Sequence, residues 1–404
     1  MNNQLHKFLL AAVLSAGIAG CVTNKSSQRI VEENLDYASR QIGLQLDAIE
    51  KTGKILNPRT TDKEGATRYV GFSDWTSGFF PGTMWYLYEM TGNERWKEYG
   101  IKITGSLDSA KYINWHHDVG FIINCSFGNA FRLTGRNEYK QVIITAAESL
   151  ASRFRPAAGV IQSWDADKGW QATRGWKCPV IIDNMMNLEL LFRAAELSGD
   201  SSFYKIAVSH ANQTMKNHFR KDYSSWHVVD YDPVTGEVRQ KNRAQGYADE
   251  STWARGEAWA LYGFTLCYRE TKYPEYLTQA EHVAEFILNH PRLPEDLIPY
   301  WDFDAPGIPN ELRDASAAAI IASALYELSG YSDRGDRYQE KGDQIMNSLA
   351  SPAYRATPGT NNYFLLMHSV GSIPHNAEID VPLNYADYYF LEALQRKMTL
   401  NKKM

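Results

Sequence analysis

The sequence predicts an all-α fold, an (α/α)6 barrel in which six helical hairpins close into a toroid, and three observations lead there. Apolar residues recur at helical spacing through twelve segments, at 30–51, 76–91, 94–111, 118–134, 137–154, 183–198, 201–219, 252–271, 274–289, 314–329, 336–350 and 382–398. The segments alternate in character. The connections between them are short at one end and long at the other.

Taken along the chain, the helices are punctuated by a recurring break between an apolar stretch and an aromatic residue that opens the next helix. It reads Thr91-Gly92-Asn93-Glu94-Arg95-Trp96, then Thr134-Gly135 to Tyr139, Ser198-Gly199 to Phe203, Thr271 to Tyr276 and, less cleanly, Ser329-Gly330 to Tyr338. Glycine just past a helix end is the usual left-handed cap, and Asn, Asp or Pro suits the next start. Segments 252–271 and 314–329 are apolar on nearly every face, as a helix enclosed by neighbours must be, whereas 137–154, 201–219 and 274–289 keep one charged face for solvent. Inner and outer helices therefore take turns. A solenoid of helical pairs is the competing architecture, but its repeats hold a near-constant period and these units differ in length by tens of residues. The long connections, 156–182, 220–251, 290–313 and 351–381, carry Trp164, Trp170, Trp176, Trp226, Trp301 and Tyr363. In a toroid they share one rim with the N-termini of the inner helices, and long connections in a compact domain are usually functional.

Composition narrows the class. With 404 residues, 44% of them hydrophobic and 22% charged, the chain has the profile of an ordinary folded protein, and a formal net charge of −5 argues against a nucleic-acid partner. Its 11 Trp, 24 Tyr and 16 Phe suit either large aromatic packing or the stacking of sugar rings. The N-terminus has a short basic segment, an apolar run from Phe8 to Ala19 and small residues before Cys21, the pattern of a secretory signal over 1–20. Ala19-Gly20-Cys21 resembles a bacterial lipobox. Cys21 is then the lipidation site, 21–29 a polar tether and 30–404 a single domain, with membrane contact only through the lipid and a periplasmic location. Cys125, Cys178 and Cys267 read as buried thiols, and no CxxC pattern offers a metal site.

Polar residues gather where inner helices begin: Asp118 after Trp115-His116-His117, Asp183 after Val180-Ile181-Ile182, Arg255 after Trp253, and Asp314 after Arg313. Taken singly, each aspartate is best explained as an N-cap, a reading that weakens for Asp118 and Asp183 together because both face a rim lined with Trp. Two carboxylates in an aromatic-walled cleft can also hold separated pKa values, one ionised and one keeping a proton for general acid work. Adjacent histidines on a helix point apart, and no ligand set completes a metal site around His116 and His117.

Trp75-Thr-Ser-Gly-Phe-Phe-Pro-Gly, Trp115-His-His-Asp-Val-Gly-Phe, Ile181-Ile-Asp-Asn-Met-Met-Asn-Leu and the block from Gln245 to Trp259 together resemble the unsaturated glucuronyl hydrolases, glycoside hydrolase family 88. The resemblance runs in order from about Trp75 to Tyr388 and implies an (α/α)6 barrel; with no ligand set in the sequence, no metal and no cofactor are expected. It implies that the partner is an oligosaccharide with a 4,5-unsaturated uronic acid at its non-reducing end, released by a polysaccharide lyase. It makes Asp183 the general acid and base, Asp118 the second essential carboxylate, and His227, Gln245, Trp253, Arg255 and Trp75 the substrate contacts. Glu257 stands where Gln would serve as well, either near the substrate or turned into the barrel. Two rival readings stay open, an unsaturated rhamnogalacturonyl hydrolase acting on pectin fragments and a non-catalytic sugar-binding lipoprotein.

Overall fold

A computed structural model describes residues 29–403, so the signal segment, Cys21 and most of the tether lie outside the described residues. Helix α1 spans residues 29–50 and thus takes in one residue that the sequence reading gave to the tether. It is followed by α2 (Phe79–Thr91), α3 (Glu94–Gly105) and α4, which runs through Val119–Ile123, a π-helical turn at Asn124–Gly128 and Asn129–Thr134. After α5 (Asn137–Ala151), a 3-10 turn at Ile182–Asn187 leads into α6 (Leu188–Ser198), and α7 (Ser201–Asn217) follows. The remainder are α8 (Ala254–Thr271), α9 (Pro274–Asn289), α10 (Ala315–Leu328), α11 (Gly335–Leu349) and α12 (Asn384–Lys403).

The expected alternation is present in burial. Every residue from Ala254 to Cys267 of α8 is buried, and α10 buries all but Glu327, whereas α5 and α9 bury a single stripe. The hairpin turns close as the sequence suggests: Gly92, Gly135 and Gly199 adopt φ of 66°, 65° and 77° at the helix ends, and Asn93 and Asp200 cap the following helices. Several helix ends differ from expectation: α2 begins at Phe79, α6 at Leu188 after its 3-10 turn, and α12 runs from Asn384 to Lys403. The segment 94–111 stops at Gly105 and resumes as a separate 3-10 turn at Asp108–Tyr112, and the segment 137–154 stops at Ala151 because Phe154–Arg155 enters a hairpin.

Among the described residues, four small antiparallel sheets lie in the connections between helices, which helical periodicity alone did not reveal. They are β1 (Pro58–Thr61) with β2 (Thr67–Tyr69), β3 (Phe154–Arg155) with β4 (Val160–Ile161), β5 (Cys178–Ile181) with β6 (Val228–Tyr231) and β7 (Val238–Asn242), and β8 (Ser369–Ser372) with β9 (Ala377–Val381). The register of the three-stranded sheet matters most. Ile181 pairs with Val228 and Val228 with Asn242, so the chain leaves the sheet at Ile182, His227 and Arg243 at one end of the strands.

Inner helices approach at glycines. A Cβ on Gly120 would lie 2.6 Å from the Asn187 Cα, and one on Gly263 would meet Met185. Neither backbone can yield without shifting a helix start. Gly120→Ala is therefore expected to cost about 1–3 kcal/mol in chemical denaturation, whereas Gly105→Ala, with open space around it, should leave stability unchanged. Equal stability of the two variants would show that the inner ring is loosely packed.

Candidate active site

The rim holds a cavity of about 260 Å³ lined by Asp118, Asp183, Trp75, Gln245 and Arg255, with Arg59, Trp164, Trp170, Gln171, Ser372, His375, Glu378 and Tyr385. Five of the seven residues expected around the substrate thus line it. Trp253 and His227 are set behind it. Trp253 is buried, its ring 4.5 Å from that of His227 and 4.5 Å from the Arg255 guanidinium. It supports two polar groups of the site from beneath, and the tryptophans that line the cavity are Trp75, Trp164 and Trp170.

Asp118 occupies the N-cap position of α4 and Asp183 the first turn before α6, yet neither side chain caps its helix. Asp314 does, accepting from the backbone N–H groups of Ser316 and Ala317. The capping explanation therefore holds for Asp314 and fails for the two carboxylates that line the cavity. Asp314 also carries an ion pair to Arg255 at 2.9 Å. Arg255 donates further to the carbonyls of Val370 and Gly371, so the guanidinium expected at the rim is instead almost completely buried, with one edge on the cavity.

Residues 115–118 are not helical, which changes where the two histidines point. His116 forms an isolated bridge with Trp164, and the backbone N–H of His117 donates to the Ser163 carbonyl. Both imidazoles consequently converge on Asp118, His116 Nδ1 at 3.4 Å and His117 Nε2 at 3.3 Å from its oxygens. Burial works to raise the Asp118 carboxyl, but His117, His116 and Arg153 outweigh it and hold the group below the usual carboxylate range. Burial also pushes His117 below the ordinary imidazole value.

Asp183 is placed by the three-stranded sheet. The Ile182 N–H donates to the His227 carbonyl, which carries the ladder one pair beyond Ile181 and Val228 and sets Asp183 beside the His227 ring, Oδ2 to Nε2 at 3.5 Å. After β7 the chain contributes the backbone N–H groups of Ala244 and Gln245, both donating to His227 Nδ1. Across the cavity Arg59 forms a paired contact with Glu378, at 2.5 and 2.8 Å, and reaches Asp74 at 2.7 Å. No local pattern marks this pair, since 319 residues separate its members.

Glu257 lies in the barrel wall, fully buried, where Oε1 accepts from both the N–H and the hydroxyl of Ser225 at 2.7 Å. It fastens the loop two residues before His227 and does not line the cavity. Among the described residues no group of three or more His, Cys, Asp or Glu is arranged to hold a metal ion.

Residues 50–352 match the model of Glycosyl Hydrolase Family 88. An unsaturated glucuronyl hydrolase of Formosa agariphila is 48% identical over 332 residues, 82% of each chain, and one of Bacillus sp. (strain GL1) is 33% identical over 369 residues, 88% of this chain and 94% of the other. A solved structure of an unsaturated glucuronyl hydrolase specific for heparin superposes with a TM-score of 0.88 at 44% identity, covering 93% of this chain and 98% of that one.

Burial raises the Glu257 carboxyl to about 7 despite its Ser225 donors and Arg220. A raised acid favours the fold below its ordinary pKa of 4.5, and that contribution is lost as pH rises through about 7. Glu257→Gln keeps the acceptor for Ser225 and removes the charge. Its stability relative to wild type, followed by denaturant titration, should therefore rise between pH 5 and pH 8, by at most about 3 kcal/mol. A pH-independent difference would mean that Glu257 does not titrate in this interval.

Proposed function

The chain belongs to glycosyl hydrolase family 88, and from that premise we infer that it removes a 4,5-unsaturated uronic acid from the non-reducing end of glycosaminoglycan-derived oligosaccharides. The observation that carries this reading is a pair of carboxylates, Asp118 and Asp183, that share one aromatic-walled cavity, cap no helix and are each backed by a buried histidine.

The substrate's double bond belongs to a vinyl ether, so protonation at C4 leaves positive charge shared between C5 and the ring oxygen. Asp183 supplies that proton as general acid. It then takes a proton from the water that adds at C5, and the hydrated sugar opens from its hemiketal and releases the remaining saccharide. Asp118, kept ionised by its neighbours, favours the developing positive charge and contacts the sugar hydroxyls. Arg255 supplies a fixed positive edge for the uronate carboxylate. Trp75 and Gln245 form the wall, with Trp164 and Trp170 closing the open side.

We further propose that residues 1–20 are a secretory signal and that Cys21 is lipidated, so that the domain faces the periplasm from a membrane anchor. The sequence pattern supports this, and Cys21 lies outside the described residues. In a bacterial host the wild-type protein should fractionate with membranes and take up labelled fatty acid, and Cys21→Ser should do neither. Soluble wild-type protein without label would remove the anchor.

Turnover is read as loss of the ultraviolet absorbance of the conjugated enoate, on unsaturated disaccharides of the heparin and chondroitin types. Asp183→Asn should lower kcat by roughly 10²–10⁴-fold with KM changed only a few-fold. Near-normal turnover in that variant would place the proton donor elsewhere.

A further inference from the structure

The hydrogen bonding around the two buried histidines specifies how their protons are arranged. His227 Nδ1 accepts from two backbone donors, the Ala244 N–H at 3.2 Å and the Gln245 N–H at 3.1 Å. A nitrogen that accepts cannot carry a proton, so the ring proton sits on Nε2. That nitrogen is buried and makes no hydrogen bond, and Asp183 Oδ2, which it faces at 3.5 Å, is likewise buried and unpartnered. Two such groups side by side, one a donor and one an acceptor, each cost free energy until they meet. A separation slightly beyond an ordinary hydrogen bond is common before substrate closes a site. His117 repeats the arrangement: Asn187 Nδ2 lies 3.4 Å from its Nδ1, and its Nε2 points at Asp118 Oδ1.

We propose that His227 is held as the neutral Nε2–H tautomer and acts as a positioning residue, donating its Nε2–H as a hydrogen bond to Asp183 Oδ2 throughout turnover and so assigning Oδ1 as the oxygen that exchanges protons with substrate. This rests on the reading of Asp183 as the general acid. The resting acid then carries its proton on Oδ1, the oxygen left open to the cavity. Transfer to C4 breaks the Oδ1–H bond and forms C4–H, and the charge that appears on the carboxylate is met at Oδ2 by the His227 N–H. When water adds to C5, its proton returns to Oδ1, and His227 has neither gained nor lost one. The imidazole takes no part as acid or base. Trp253 beneath the ring and the Ala244–Gln245 backbone beside it hold the plane of the donor.

The test begins with the resting enzyme, uniformly labelled with 15N at histidine. Two-bond nitrogen–proton correlation should show His227, assigned by the signal lost in His227→Phe, with a protonated Nε2 and an unprotonated Nδ1. An Nδ1–H tautomer or a doubly protonated ring would overturn the proposal whatever Asp183 does in turnover. Kinetics supply the second arm. His227→Phe keeps a flat ring on Trp253 but has no donor, and should lower kcat about 10- to 100-fold with KM nearly unchanged. His227→Gln restores an N–H of similar reach and should recover part of the loss. Melting curves of both variants report whether the fold is intact; if His227→Phe melts early, the comparison rests on His227→Gln and the spectrum. Equal kcat in the Phe and Gln variants would assign His227 a packing role and reject the proposal. A failed Asp183→Asn result beside the expected tautomer would instead reject the general-acid reading alone.

Discussion

The side chain of Asn187 is the joint on which the site depends. Its Oδ1 accepts from the Phe121 N–H at 2.8 Å, its Nδ2 faces His117 Nδ1, and its Cα packs against the bare Gly120. One residue of the turn that carries Asp183 thereby fixes the start of the helix that carries Asp118. The two segments lie far apart in sequence, and a Cβ at position 120 would part them. Because a hydrogen bond and a close backbone contact act together, the spacing of the two carboxylates is fixed where the turn that carries Asp183 meets the start of α4.

The polar layer behind the cavity follows the same economy. Asp118 is met by two imidazoles, Asp183 by one, Arg255 by Asp314 and two carbonyls, and Arg59 by Glu378 and Asp74. Removing one partner would leave a buried charge without compensation, which costs far more than the pair contributes. The site is accordingly oriented before substrate arrives, and groups that face developing charge need little rearrangement. Glu257 extends the support outward by fastening Ser225, and through it the loop that presents His227.

Much of this was legible in the sequence, for identifiable reasons. Helical spacing and glycine caps at Gly92, Gly135 and Gly199 record local physics, so the twelve helices and their alternation could be read directly. Asp118, Asp183 and Arg255 stood out because they sit at the starts of inner helices, which a toroid gathers on one rim. The four-residue strands Cys178–Ile181 and Val228–Tyr231, the second interrupted by Asp230, are too short to show a period, and the sheet they form was therefore missed. Without it, the contact of His227 with Asp183 has no visible cause. The direction of a side chain in a loop is likewise set by tertiary contacts. That is why His116 and His117, expected to diverge, converge on one carboxylate, and why Trp253 turns under the site. Arg59 and Glu378 belong to opposite ends of the chain, and nothing local marks either.

The central claim is that the enzyme hydrates a double bond and does not hydrolyse the glycosidic linkage directly. Turnover of an unsaturated disaccharide in water enriched in heavy oxygen, with product analysis by mass spectrometry and carbon NMR, tests it most directly. The account predicts that the label enters at C5 of the former unsaturated sugar and leaves the glycosidic oxygen with the released saccharide. Label at C1 would contradict it, because water would then have attacked the anomeric carbon and the proton from Asp183 would have gone to a leaving oxygen instead of C4.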